Sequence, residues 1–180
     1  TGIPLTLGIV LLEVGWRLGL PLEGVNFPHH FLVRFRGEGV DLLLDPFDGG
    51  EARLEDEAQE LLDRVYGGMV RLQDSFLKPA SRRDMLTRLL NNLKSIYLNT
   101  GDQARALGVV ERILLLRPEA DSERRTLGVL LVRLGRREEA LDELRRYLAS
   151  GPDSRERLRV EGIVDRLESG RLPDEGDLKI

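Results

Sequence analysis

Residues 101–118, GDQARALGVVERILLLRP, and residues 135–152, GRREEALDELRRYLASGP, carry the same signals at an offset of 34 positions. Gly101 falls on Gly135, Ala106-Leu107 on Ala140-Leu141 and Pro118 on Pro152, and just upstream Leu93 falls on Leu127. Each of these residues has a separate physical job. The glycine lets two helices turn tightly on one another, the alanine lets them approach closely, and the proline stops the second helix. Independent requirements that recur in one register mark a repeated helix-turn-helix unit. Around this pair the pattern is helical almost without interruption from residue 81 to residue 149, and Ser81 with Asp84 forms a capping box at its start.

The two units resemble the tetratricopeptide family. Leu90, Leu93, Tyr97, Ala106, Val110 and Pro118 sit at family positions in the first, and Leu127, Gly128, Leu131, Ala140, Leu144 and Pro152 in the second. Four residues depart from the pattern: Lys94 stands for a small residue, Arg124 for a bulky apolar one, and Ile113 and Tyr147 for alanine. These departures imply wider helix packing. Two repeats cannot close a continuous core by themselves, so both ends need a cover. Val160, Ile163, Val164 and Leu167 form a narrow apolar stripe that suits a capping helix at one end. The resulting expectation is two repeats at 87–120 and 121–154 plus a cap within 81–169, then a mobile tail at 170–180 containing Pro173, Glu175 and Gly176.

Upstream the texture changes. Leu5, Ile9, Leu12 and Trp16 recur at helical spacing between Pro4 and Leu18, which predicts one buried helix ending at Gly19. The runs 22–25, 31–35 and 40–44 are short, rich in β-formers and bounded by Pro or Gly, with Arg36-Gly37-Glu38-Gly39 as a hairpin turn. Asp48-Gly49-Gly50 turns the chain, Glu55 to Val65 fits an amphipathic helix with Leu61 and Leu62 inward, and 67–79 shows no period and reads as a linker. The expected fold class is therefore α+β in residues 1–80, a helix with a small antiparallel sheet, followed by an all-α repeat segment. The abrupt helical opening at Thr1 suggests that residues are missing upstream.

GIP at 2–4, LGLP at 18–21, HFLVR at 30–34 and LLLDPF at 42–47 resemble the core of the transglutaminase-like fold. In active members a cysteine, a histidine and an aspartate act as nucleophile, base and orienting group. The resemblance puts His30, on a strand, at the histidine and Asp45 at the aspartate; the cysteine position falls on Pro4, or on Thr6 with a shift of two residues. The order GIPLTL, LEGVNFPHHFLVR, LDPFDGG and two repeats is similar to the SirB family of bacterial proteins, which join such a core to tetratricopeptide repeats. That resemblance implies a regulatory role.

The chain has no cysteine, so it has no disulfide, thiolate metal site or thiol nucleophile. A hydroxyl at Thr6, assisted by His30 and Asp45, is the catalytic alternative; the plainer reading is that His30 bonds Asp45 and fixes the sheet, with His29 exposed and Trp16 in the core. With two adjacent histidines and no thiol, no metal or cofactor is expected. The net charge of −4 and 5% aromatic content argue against nucleic acid, and the lack of a long apolar run argues against a membrane and for a cytoplasmic location.

Charge is unevenly spread: residues 81–150 carry 14 basic and 10 acidic side chains, whereas 1–80 carry 7 and 13. In the tetratricopeptide family the first helix of each unit lines a concave groove, which here implies Arg88, Asn91, Ser95, Asn99, Arg125 and Arg133 as a peptide-binding set. Guanidinium groups bind carboxylates bidentately, so the expected partner is another protein offering an acidic segment or a chain terminus. An ordinary solvated face, or docking on the acidic first half of the chain, are the other readings of the same residues.

Overall fold

A computed structural model describes residues 4–54 and 57–180. Glu55 and Asp56, at the expected start of the second helix, and residues 1–3 of the GIP motif lie outside the described residues. The chain divides into two compact units, 1–89 and 90–180, so the division falls inside a helix rather than at residue 80.

In the first unit, helix α1 (Pro4–Arg17) precedes strands β1 (Leu22–Val25), β2 (Leu32–Gly37), β3 (Val40–Asp45) and β4 (Glu51–Arg53), followed by helix α2 (Ala58–Tyr66). The strands pair in sequence order, all antiparallel. The β2–β3 hairpin closes through Glu38 and Gly39, both at positive φ (52° and 78°), as a tight two-residue hairpin loop requires. Along β2 the side chains alternate between two cores. Leu32 joins Val25, Leu43, Ala58, Leu61 and Leu62 on the α2 side, while Val33 joins Leu5, Leu12, Leu22 and Phe31 on the α1 side. The sheet is thus covered on both faces, which is why its strands read as apolar runs rather than as alternating ones.

Three expectations change in this unit. α1 is buried on one face only, since Val10 and Val14 are exposed. β4 went unread because three residues, EAR, carry no strand signal. Residues 67–79 are not a free linker: a 3₁₀ turn spans Asp74–Leu77, Leu77 is buried, Pro79 bridges to Val25, and the Ala80 amide donates to the Gly24 carbonyl at 2.7 Å. That segment occupies the edge of the sheet that β1 would otherwise leave open.

Gly24 is one of the close approaches in the α1-side core. A Cβ there would lie 2.7 Å from Met85 Sδ, 2.9 Å from Phe31 Cζ and 3.1 Å from Leu12 Cδ1. Phe31 and Leu12 are fully buried and have nowhere to retreat. Gly24→Val is expected to destabilise this unit by about 2–3 kcal/mol through overpacking, measured as a lowered urea midpoint; an unchanged midpoint would show that the core is looser than described.

A second strained economy is electrostatic. Arg34, buried in β2, donates two hydrogen bonds to Asp41, at 2.6 and 2.7 Å. The Arg34 guanidinium, chiefly through these bonds, holds the Asp41 carboxyl below its usual range. A depressed folded value means that the pair's contribution is complete above the unfolded value and fades as pH falls through the folded one. Asp41 is 44% exposed, so the effect is screened to less than about 1 kcal/mol. Asp41→Asn is expected to flatten the acid limb of a thermal-midpoint profile below about pH 4; an acid limb as steep as the parent's would show that the pair does not contribute.

The second unit begins within α3 (Arg82–Asn99) and continues through α4 (Gln103–Leu116), α5 (Asp121–Arg133), α6 (Arg137–Ala149) and α7 (Ser154–Glu168). The capping box at α3 forms as the sequence implies: the Asp84 amide donates to Ser81 Oγ at 3.1 Å and the Ser81 amide to Asp84 Oδ2 at 3.0 Å. The paired turn glycines hold nearly the same left-handed backbone, Gly101 at φ 73° and Gly135 at φ 72°. Ala106 and Ala140 are both fully buried, as the repeat alignment demands. At two of the four departures from the pattern, Lys94 and Arg124, ion pairs take over, while Ile113 and Tyr147 are buried. Lys94 bonds Glu123 across to α5, and Arg124 donates to Glu143 on α6 at 3.0 Å and to the Pro118 carbonyl at 3.1 Å. The four cap residues Val160, Ile163, Val164 and Leu167 of α7 are all buried in the repeat core.

Candidate functional site

Two places concentrate chemistry, one in each unit. In the first, His30 lies in a turn ahead of β2 rather than on the strand. His29 adopts a left-handed backbone (φ 55°) and the His30 amide donates to the Phe27 carbonyl at 3.0 Å, so the chain turns just before the sheet begins. Asp45 ends β3 and is buried. Its Oδ1 accepts the amides of Phe47 at 3.0 Å and Asp48 at 3.2 Å, while Oδ2 meets His30 Nε2 at 2.6 Å. One carboxylate oxygen is thus fixed by the loop it starts, and the other fixes the imidazole. The ring packs edge-on against Phe47.

In the tautomer whose Nε2–H faces the carboxylate, Nδ1 carries the lone pair, the arrangement a general base needs. His29 is exposed and meets Tyr66 edge-on. The structure therefore brings His30 and Asp45 together. Thr6, the third candidate, stands half-buried in the first turn of α1. Pro4 opens that helix, and its side chain is outside the described residues.

In the second unit, α3, α5 and α7 line a groove that holds residues 174–180. The Arg125 guanidinium donates to the Lys179 carbonyl at 2.7 Å and pairs with Glu156, and Arg133 donates to the Leu178 carbonyl at 2.8 Å. Ser95 and Asn99 line, with Leu98, Arg133, Lys179 and Ile180, an open depression of about 470 Å³. Asn91 is half-buried on the same helix. Arg88 belongs elsewhere. It lies in the first unit and donates to the Phe27 carbonyl at 3.0 Å, with burial lowering its pKa from the ordinary value.

The tail expected to be mobile is seated instead, with Pro173 and Leu178 buried. Two groove residues escaped the sequence reading, Arg159 and Arg166 of α7, because that helix was read only as a cap. Their seven-residue spacing, which puts both on one helical face, was the available signal. Arg159 donates to the carbonyls of Asp177 and Gly176, both at 3.1 Å, and Arg166 pairs with Asp174 at 3.1 Å and with Asp177.

Comparison with known proteins agrees with this division. Residues 1–91 match the family described as transglutaminase-like superfamily, and residues 93–164 match a tetratricopeptide repeat family. Among relatives, a UPF0162 protein of Xylella fastidiosa is 39% identical over 177 residues, covering 95% of this chain and 62% of that protein. A UPF0162 protein of Pseudomonas aeruginosa is 35% identical over 159 residues, 88% of this chain and 58% of that one. Protein SirB1 of Salmonella typhimurium is 30% identical over 153 residues, 84% of this chain and 56% of its own length. The chain thus spans about three fifths of the length of the relatives it matches. No solved structure matches it. Among the described residues no helix is long and apolar enough to cross a membrane. With a helix-flanked antiparallel sheet carrying the His30–Asp45 pair, and tetratricopeptide repeats after it, the chain belongs to the transglutaminase-like superfamily.

Proposed function

We propose that this chain is a non-catalytic interaction or regulatory protein of the cytoplasm, which holds a segment of another protein in the groove of its repeats. One observation carries the reading: the His30–Asp45 pair is complete at 2.6 Å, yet no residue of the chain is a cysteine. A base without a thiol to activate is a structural pair. The hydroxyl of a threonine is far less acidic than a thiol and gains reactivity only with a base in hydrogen-bond reach. The groove supports the positive half of the proposal. Arg125 and Arg133 present donors to it, and Ser95 and Asn99 are exposed along it.

Calorimetric titration with carboxylate-rich peptides tests the groove. Saturable binding that falls at least about tenfold in Arg125→Glu and Arg133→Glu is the expected result. Equal binding by parent and variants would remove the groove from the account. The second reading, a hydrolase or acyltransferase using Thr6, His30 and Asp45, is favoured by the base-like setting of His30 alone. It requires that Thr6→Val abolish a measurable turnover.

A further inference from the structure

We infer that the groove of α3, α5 and α7 is closed in cis by residues 174–179, and that its partner is an acidic protein segment with two carboxylates three residues apart followed by leucine, which displaces that tail. The inference rests on the groove reading above and adds to it the partner's chemistry and a means of regulation.

The recognition is divided between backbone and side chains. Four successive carbonyls, those of Gly176, Asp177, Leu178 and Lys179, accept hydrogen bonds from guanidinium groups on α5 and α7. These bonds read the course of a main chain and would hold any segment that followed it. Selectivity comes from three side chains. Asp174 and Asp177 both pair with Arg166, and Leu178 is 7% exposed within the repeat core. Asp174-Glu175-Gly176-Asp177-Leu178 therefore describes what the groove accepts. Charge-assisted bonds from arginine to carboxylate and carbonyl oxygen suit such a segment better than they suit a neutral one.

The tail is also built to leave. Asp174, Glu175, Gly176, Lys179 and Ile180 are exposed, and Leu178 is its one member in the hydrophobic cluster of the repeats. The remaining members of that cluster come from α4 to α7, so lifting the tail exposes one leucine pocket and returns guanidinium groups to water. Segments with few buried apolar contacts open first. The tail lies outside residues 93–164, the part that matches the repeat family. Tethered by a few residues after α7, it competes with an effective concentration of about a millimolar.

Fluorescence anisotropy with a labelled peptide of sequence LPDEGDLKI, residues 172–180, tests the inference on the whole chain. The parent is compared with a variant carrying Asp177→Ser and Leu178→Ser, whose own tail no longer fits. The variant is expected to bind the peptide at least about tenfold more tightly than the parent, and Arg159→Ala added to it is expected to abolish that gain. Equal binding by parent and variant, or no binding by a variant that keeps its helical circular dichroism, overturns cis occupancy. Should the variant unfold, deuterium uptake of 174–179 in the parent decides: it must rise when excess peptide is added, and an unchanged uptake overturns the inference. An acidic peptide without the Asp-Leu pair that binds the variant where LPDEGDLKI does not would remove the tail's role and leave the groove reading standing; if neither peptide binds, both fall.

Discussion

Asp45→Ala is expected to lower the unfolding free energy of the first unit by about 3 kcal/mol. The carboxylate is 2% exposed and accepts three hydrogen bonds, from the amides of Phe47 and Asp48 and from His30. Its removal takes the acceptor from two backbone donors and a part-buried imidazole, and each such group left without a partner costs about 1–3 kcal/mol. Asp45→Asn separates this from a charge effect. The amide oxygen can still accept both backbone bonds, and the amide nitrogen can donate to His30 in its other tautomer. That variant should lose less than about half as much. Urea unfolding of both proteins measures the difference; if they were equally destabilised, the negative charge rather than the hydrogen bonding would be what holds the loop.

Leu144→Ala is the corresponding prediction for the repeats. Leu144 is fully buried, and its side chain fills the space over Gly128, where an added Cβ would lie 2.5 Å from Leu144 Cδ2. Gly128 is small so that Leu144 can enter, and truncating Leu144 leaves that space empty. The expected loss is about 3–4 kcal/mol, from lost transfer energy and the residual cavity. Restoring bulk from the other side tests the geometry. Gly128→Ala alone should destabilise, whereas in the Leu144→Ala background it should recover part of the loss. Additive destabilisation in the double variant would show that the two positions do not share one space.

Most of the fold was legible because its signals are local. Ser81 and Asp84, Gly101 and Gly135, and the buried stripe of α7 each state a backbone or packing requirement that no distant residue can override. The hairpin at Glu38-Gly39 belongs to the same class. What escaped depended on a partner strand rather than on its own residues. β4 exists because β3 offers it an edge, and residues 67–79 are ordered because β1 offers them another. Neither edge can be read from those residues themselves.

The site divided in the same way. His30 and Asp45 are fifteen residues apart but were placed by resemblance, and the antiparallel strands bring them to 2.6 Å. Arg125 and Arg133 followed from the repeat register, and their guanidinium groups donate to the Lys179 and Leu178 carbonyls. Arg88 sits in the same register, but the division between units falls just after it, and the Phe27 carbonyl takes its guanidinium. The tail was the largest departure. Its composition, with Pro173, Glu175 and Gly176, suits a disordered end, and only the arginines of α5 and α7 give it a course.

In the proposed reading the groove is the working part of the molecule and the sulfur-free pair at His30 is scaffold. A single set of measurements addresses that directly: turnover of a panel of activated amide and ester substrates by the parent and by His30→Gln, each confirmed as folded. No hydrolysis above the rate without protein, in either, is the expected result. Release of product by the parent that disappears in His30→Gln would contradict it.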